Sequence, residues 1–122
     1  MSGFIRFVVA DRDARTGFRR GLIHAAERIR WEFSPEQEVR YAAAYDWLNA
    51  ELPVPRGFAG NAQALSWYRD SAADCIACMR EIAAVVEAND MPTAMLRTER
   101  PGKILYADAF QVVAEPFADT PC

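Results

Sequence analysis

The sequence has little of the material from which common catalytic, disulfide and membrane sites are built. It contains one histidine, His24, and three cysteines. No apolar run approaches the roughly 18 to 20 residues that a membrane helix needs. The apolar N-terminal stretch is interrupted by Arg6 and followed by Asp11 and Asp13, so we expect no signal peptide. These absences predict a protein without a membrane segment or a disulfide framework, located in the cytoplasm.

Composition and charge are those of a globular chain. Apolar residues make up 52% of the 122 residues and charged residues 25%, which is typical of a folded domain. The net charge of −3 disfavours nucleic acid or an anionic membrane as a partner. The N-terminal quarter is nevertheless basic, with seven arginines between positions 6 and 30. Such a run is usually a solvated helix face, and the alternative is contact with an anionic ligand or partner.

The hydrophobic patterns predict one α+β domain at 1–122, in the order β-α-α-α-β-β-β. A largely antiparallel sheet of three to four strands packs on about three helices, in two layers. The predicted elements are a strand at about 4–9, helices at about 14–33, 35–51 and 63–88, a β-meander at about 93–115 and a flexible tail at 118–122. The first strand alternates, with Arg6 on one face and Phe7 on the other.

Helix-end signals support some of these boundaries. Ser34 and Gln37 flank Pro35 with the spacing of a capping box, which predicts the start of the second helix. Asn89 is expected to be a left-handed C-cap for the third helix, and Pro92 prevents its continuation.

The predicted meander carries the strongest candidate binding site. A type II turn at Pro101-Gly102 and a tight turn at Asp108-Ala109 would place three strands side by side. This register predicts a polar row across one sheet face, which Arg6 joins if the first strand completes the sheet. The candidate ligand-binding residues of this row and its surroundings are Arg97, Tyr106, Gln111, Arg100 and Arg6, with His24 as a further candidate.

Arginine in such a row suits an anion. Its planar guanidinium can hold a carboxylate or phosphate with two hydrogen bonds, and the neighbouring Tyr106 and Gln111 would orient the ligand. The alternative is an ordinary solvated sheet face with cross-strand pairs.

The Cys75-Ile76-Ala77-Cys78 pattern resembles a redox or zinc motif. A redox CxxC has its attacking thiol at a helix N-terminus, whereas both cysteines fall inside a predicted helix beside Asp74. A zinc site would need further ligands, and only His24 and Cys122 remain as imidazole or thiol donors. We interpret the pair as structural cysteines, with metal binding and redox chemistry as alternatives, and predict no cofactor and no metal.

Nucleophilic catalysis by His24 is a further alternative. Its candidate partners are Cys75, Cys78, Ser66 and Ser71. None of them lies in a recognisable nucleophile elbow, so the sequence does not favour this chemistry.

Three stretches carry a resemblance: Gly21–Ala26 (GLIHAA), Arg97–Phe117 (RTERPGKILYADAFQVVAEPF) and Ser66-Trp67-Tyr68. They resemble a family of small bacterial proteins with no established activity, over most of the chain. The resemblance implies a bacterial, cytoplasmic setting and no particular ligand or catalytic residue. The second meander turn of that family is more acidic than Ala107-Asp108-Ala109, which argues against a role for several carboxylates there.

The sequence is compatible with two functions. The first is a non-enzymatic binding or interaction module whose polar sheet face holds a small anion or a protein partner, with a homodimer as one option. The second is a small enzyme acting on a phosphate- or carboxylate-bearing substrate. Its residues would be Arg97 and Arg100 as anchors, Tyr106 or His24 as acid–base group, and Asp108 or Glu115 as carboxylate. A concave pocket that joins His24 to the arginines would favour the enzyme.

Overall fold

The computed structural model describes residues 3–58 and 60–122, so residues 1, 2 and 59 of the predicted domain lie outside the described part. Its first strand is β1 (Phe4–Arg12). The elements that follow are β2 (Arg19–Gly21), α1 (Leu22–Ile29), a 3₁₀-helix (Arg30–Glu32), α2 (Pro35–Glu51), β3 (Leu65–Arg69), α3 (Ala73–Ala88), β4 (Thr93–Thr98), β5 (Lys103–Ala107) and β6 (Gln111–Glu115). The α+β class is confirmed. In the described residues, a sheet of six strands replaces the predicted three to four.

The sheet is antiparallel throughout, and β1 lies at its centre. One edge of β1 pairs with β4. The other edge is shared by β3, at the N-terminal end of β1, and β2, at its C-terminal end. β3 then pairs with β6, and β6 with β5. This arrangement places β4 and β5 on opposite sides of β1.

The predicted alternation of β1 is confirmed by its two faces. Ile5, Phe7 and Val9 belong to the main core, which they share with all three α-helices. The opposite face carries a smaller buried cluster of Phe4, Leu65, Trp67 and Val112. Apolar side chains are therefore buried on both faces of the central strands.

The helix predicted at 14–33 is wrong over its first half. The chain turns after Asp13, whose amide donates to the carbonyl of Phe18 at 2.9 Å, and Gly17 adopts φ 74°. β2 then pairs back onto β1, and α1 begins only at Leu22. Helical spacing did not reveal this hairpin, because the spacing of the apolar residues places Gly17 inside a helix. The positive φ that Gly17 adopts, which glycine accepts readily, closes a turn there instead.

The helix predicted at 35–51 is confirmed with the same bounds. The Gln37 amide donates to Ser34 Oγ at 3.1 Å, and the Ser34 amide donates to Gln37 Oε1 at 2.9 Å. This is the predicted capping box, in which two otherwise unpaired amides find acceptors.

The helix predicted at 63–88 begins ten residues late, at Ala73, because the preceding segment is β3. Trp67 and Tyr68 lie opposite Val112 and Gln111 of β6, so the two aromatic residues face opposite sides of the sheet. At the other end of α3, Asn89 has φ −102° and is not left-handed. Asp90, with φ 64°, takes that conformation instead.

The predicted three-stranded meander is wrong. β4 pairs with β1, where Arg97 faces Ile5, and so the segment at Pro101-Gly102 does not close a hairpin. β5 and β6 do form a hairpin, but Tyr106 lies opposite Val113 instead of Gln111. A local turn pattern could not exclude pairing of β4 with a strand near the other end of the chain.

The C-terminal segment makes specific contacts, although its composition predicts a flexible tail. Thr120 is buried, and its hydroxyl donates to the carbonyl of Arg100 at 3.1 Å. The amide of Arg19 donates to the carbonyl of Cys122 at 2.6 Å, which ties this segment to β2. Among the described residues, no helix combines the length and apolar character needed to cross a bilayer.

Candidate functional site

The sheet opens beside Arg6, where β1 passes from one partner strand to the next. Ile5 pairs with Tyr68 of β3, and continuation of that register would place Trp67 opposite Arg6. The assigned β1–β3 pairing stops at Ile5, and pairing on this edge resumes at Val8, with β2. Arg6 therefore lies at a gap between β2 and β3.

Two buried hydrogen-bond donors at this gap have no acceptor. Arg6 is 8% exposed and Trp67 is 0% exposed. Arg6 Nη2 donates to the carbonyl of Arg19 at 3.0 Å, but Arg6 Nη1 and Trp67 Nε1 have no partner. They are the only two such buried side-chain atoms in the described part of the chain. A buried polar group without a partner costs about 1–3 kcal/mol, so these donors point to an acceptor that the chain itself does not supply.

A cavity of about 300 Å³, here called the inner chamber, adjoins these residues. Its polar lining consists of Arg6, His24, Ser66 and Gln111, and its apolar lining includes Leu22, Trp67, Tyr68 and Met79. A second cavity of about 140 Å³, the outer chamber, shares Arg6, Gly21, His24 and Leu65 with the first. The two chambers form one cleft, named the Arg6 cleft below.

The outer chamber is rich in positive charge. Its further lining includes Asp13, Arg15, Arg19 and Arg20. Arg15 pairs with Asp13 at 3.4 Å, and Arg20 pairs with Asp11 at 3.0 Å. Within residues 3–58 and 60–122, neither Arg6 nor Arg19 has a carboxylate within 4.0 Å. These two cations of the cleft thus form no ion pair with the described chain.

The N-terminus of α1 adds a further source of positive potential. Gly21 is the N-cap and has no side chain to accept from the first amides, and the first turn contains no acidic residue. Gly21, Leu22, Ile23 and His24 all line the inner chamber. The unpaired N–H groups and the dipole of a helix start favour an anion.

The pKa of Arg6 is lowered to about 10, chiefly by burial; the nearby Cys122 raises it and Arg19 lowers it. Arg6 is still protonated at neutral pH. A charge held in this environment with one backbone acceptor is unfavourable without more partners. An anion at Arg6 would relieve both the missing hydrogen bond and the missing charge.

The structure separates Arg97 and Arg100 from this cleft. Arg97 is exposed on β4, with Nη1 4.0 Å from Asp70 Oδ2. Arg100 lies 3.2 Å from Asp119 and stacks over the ring of Phe117 at 5.1 Å. The predicted row of Arg97, Tyr106 and Gln111 is therefore wrong as an arrangement, because β4 pairs with β1 and not with β5.

Tyr106 and Gln111 do meet, around Asp108 in the β5–β6 turn. The Tyr106 hydroxyl donates to Asp108 Oδ2 at 2.8 Å, and Gln111 Nε2 donates to the same oxygen at 3.2 Å. The amides of Phe110 and Gln111 donate to Oδ1. Burial raises the pKa of Asp108, but these hydrogen bonds outweigh it and leave the pKa below its ordinary value. The carboxylate of Asp108 thus closes a turn.

Of the six predicted site residues, Arg6, His24 and Gln111 come together in the cleft. Trp67, its most buried donor, was not predicted as a site residue. The charge of Arg6 within an apolar strand was a usable sequence signal, whereas the unpaired indole N–H of Trp67 depends on which side chains the fold places around it.

Comparison of the chain with protein-family models, with curated proteins and with solved structures found no match.

The cysteines contribute no comparable site. Cys75 is buried and Cys78 half-buried in α3, and burial raises the pKa of both thiols, to which Asp74 adds. A raised pKa disfavours the thiolate that redox chemistry and metal binding require. Among the described residues, no group of three or more histidine, cysteine or acidic side chains is arranged to hold a metal ion.

Proposed function

We propose that this protein is a non-enzymatic binding module for a small anion, which sits in the Arg6 cleft. The observation that carries the proposal is the pair of buried donors without acceptors, Arg6 Nη1 and Trp67 Nε1. A bound oxygen-rich group would supply the acceptors that these donors lack. Phosphate and carboxylate suit the site because their oxygens accept several charge-assisted hydrogen bonds at once.

An anion explains more of the cleft than a water molecule does. A water could accept from the donors, but it would leave the charges of Arg6 and Arg19 without a counter-ion. The uncapped start of α1 at Gly21 favours negative charge in the same place. Three independent features therefore support an anionic ligand.

A thermal-shift screen with inorganic phosphate and with phosphorylated and carboxylated metabolites tests this function. A ligand that binds only the folded state adds about 2.7 kcal/mol of stability at a hundredfold excess over Kd. We expect Arg6→Met to lose the response, because methionine keeps a long side chain without the charge. Arg97→Ala, on an exposed residue outside the cleft, should keep it. Equal responses in both variants would contradict the proposal.

Gly21 offers a matched pair of variants at the cleft itself. A Cβ added at Gly21 meets no atom within 4 Å, and the residue has φ −62°, which any amino acid adopts. Aspartate and asparagine both cap helices well, and they differ chiefly in charge. We expect Gly21→Asp to bind phosphate at least tenfold more weakly than Gly21→Asn. Equal affinities would mean that no anion binds at the start of α1.

A small enzyme acting on an anionic substrate is the second candidate, favoured by the presence of His24 in both chambers. An imidazole beside a bound phosphate ester could act as an acid–base group. Incubation with a panel of phosphate esters, compared between wild type and His24→Gln, separates the two functions. Unchanged esters and unchanged binding in His24→Gln support the binding module, whereas turnover that depends on His24 supports the enzyme.

The cleft is formed within a single copy of the chain, so the proposal requires no second subunit. A homodimer or protein partner stays a prediction, for which sedimentation of the purified protein is the direct measurement. The bacterial setting likewise stays an implication of the resemblance, and the cytoplasmic location stays a prediction.

A further inference from the structure

We infer that the ligand is an amphipathic organic anion, with its phosphate or carboxylate head at Arg6 and a small aromatic or short acyl body in the inner chamber. This inference rests on the proposed anion-binding function and adds the chemical class of the ligand.

The two chambers differ in chemistry. The outer chamber is lined by arginines, which suit a charged head or open solvent. The apolar residues of the inner chamber that keep some exposed surface are Ile23, Ala64 and Tyr68, all half-buried. Apolar surface of this kind gains free energy when an apolar group displaces water from it, by roughly 25 cal/mol per Å². An inorganic ion would leave this lining unused.

The position of Arg6 links the two parts of such a ligand. Arg6 and His24 line both chambers, so they mark the junction between them. A head group bound at Arg6 lies at this junction, and the body attached to it would contact the half-buried Tyr68 and Ile23. Small-molecule sites span roughly 300–1,000 Å³, and the inner chamber, at about 300 Å³, lies at the lower limit. The body is therefore no larger than about one ring or a short chain.

Ser66 and Ser71 provide matched variants for testing this inference. Both serines are exposed, but Ser66 lines the inner chamber, whereas Ser71 lies just before α3 and lines neither chamber of the cleft. Ser66→Phe would fill the space for the ligand body without burying a new polar group. Ser71→Phe makes the same chemical change outside the cleft.

Calorimetric titration with inorganic phosphate, phenyl phosphate and benzoate measures the contribution of the body. We expect wild type to bind phenyl phosphate at least tenfold more tightly than inorganic phosphate. Ser66→Phe should remove this difference, while Ser71→Phe should behave as wild type. Benzoate, with the same ring and a different head, distinguishes a carboxylate from a phosphate ligand.

The outcomes separate this inference from the function on which it rests. Equal affinities of wild type for phenyl phosphate and inorganic phosphate, both lost in Arg6→Met, would overturn the amphipathic ligand and keep the anion-binding module. Binding of these probes that does not depend on Arg6, or no binding of any of them, would overturn both. Because Ser66 is exposed, its variant should fold even if Arg6→Met does not.

Discussion

Trp67 occupies the position on β3 that the register of Ile5 and Tyr68 would pair with Arg6, and the assigned pairing of the two strands stops before it. Each of the two residues carries one buried donor without an acceptor. In a continuous ladder, this edge of β1 would be closed by backbone hydrogen bonds. The gap instead exposes Arg6 to the two chambers of the cleft. The interruption of the sheet and the two unpaired side-chain donors therefore occur at the same place in the fold.

Replacement of Arg6 by methionine should leave the fold intact. A buried charge that is incompletely paired contributes little net stability, and apolar replacements of similar volume are often neutral or stabilising. We expect Arg6→Met to unfold in urea with a free energy no more than about 1 kcal/mol below that of wild type. A loss above about 3 kcal/mol would instead assign Arg6 a structural role.

The Asp108 turn should be sensitive to loss of its carboxylate. Asparagine would present an N–H₂ group to Gln111 Nε2, which donates to Asp108 in the native turn. We expect Asp108→Asn to lower the free energy of unfolding by about 1–3 kcal/mol at pH 7. The matched control is Asp119→Asn, on a carboxylate that is 67% exposed, which should change stability by no more than about 0.5 kcal/mol.

The effect of Asp108 should also depend on pH. Its hydrogen bonds hold the pKa of the folded state below the ordinary value of 3.8. The stabilisation is therefore fully present above pH 3.8 and is lost as the pH falls through the lower folded-state pKa. The difference between wild type and Asp108→Asn, measured by urea unfolding at successive pH values, should narrow in that acidic range. A difference that grows with acidity would contradict the assignment.

Gly102 should tolerate no side chain. It has φ 130°, and an added Cβ would lie 1.9 Å from the carbonyl oxygen of Glu115. Gly17 also has a positive φ, of 74°, but an added Cβ there meets no atom within 4 Å. We expect Gly17→Ala to cost about 1 kcal/mol from backbone strain alone, and Gly102→Ala to cost at least about 1 kcal/mol more. Thermal unfolding of the two variants checks this order.

The hydroxyl of Tyr41 should contribute to the contact between α1 and α2. Tyr41 is 0% exposed, and its hydroxyl donates to Glu27 Oε1 at 2.6 Å. We expect Tyr41→Phe to lower the free energy of unfolding by about 1 kcal/mol. Tyr45 stacks on Tyr41 with ring centroids 5.7 Å apart, and its hydroxyl forms no hydrogen bond with the described residues. Tyr45→Phe should therefore have an effect below about 0.5 kcal/mol, and equal losses in the two variants would show that the hydrogen bond from Tyr41 to Glu27 adds no stability.

The start of α2 could be predicted because it depends on residues close together in the sequence. The strand order of the sheet could not, because it depends on pairing between distant segments. Ser34 and Gln37 determine the start of α2 through contacts only three residues apart. Arg97, by contrast, pairs with Ile5 across most of the chain, and no local pattern distinguishes this pairing from a hairpin at Pro101-Gly102. The turn residues of the last quarter therefore predicted a three-stranded meander, whereas β4 pairs with β1 and only β5 and β6 form a hairpin.

The candidate site likewise depends partly on local sequence and partly on strand pairing. Arg6 was predicted as a member of the polar row, on the condition that the first strand completes the sheet. Its separation from Arg97 and its proximity to Trp67 both follow from the partners of β1. Hydrophobic alternation assigned the face of Arg6 correctly, but it could not reveal that the strand pairing would end there.

The most direct measurement is the NMR signal of the Trp67 indole N–H during titration with phosphate. The chain has three tryptophans, and the variants Trp31→Phe and Trp47→Phe each remove one of the other two signals, which identifies that of Trp67. We predict a saturable shift of the Trp67 signal in wild type, with the Kd found by calorimetry, and no shift in Arg6→Met. Phosphate binding that leaves the Trp67 indole signal unmoved would contradict an anion held between Arg6 and Trp67.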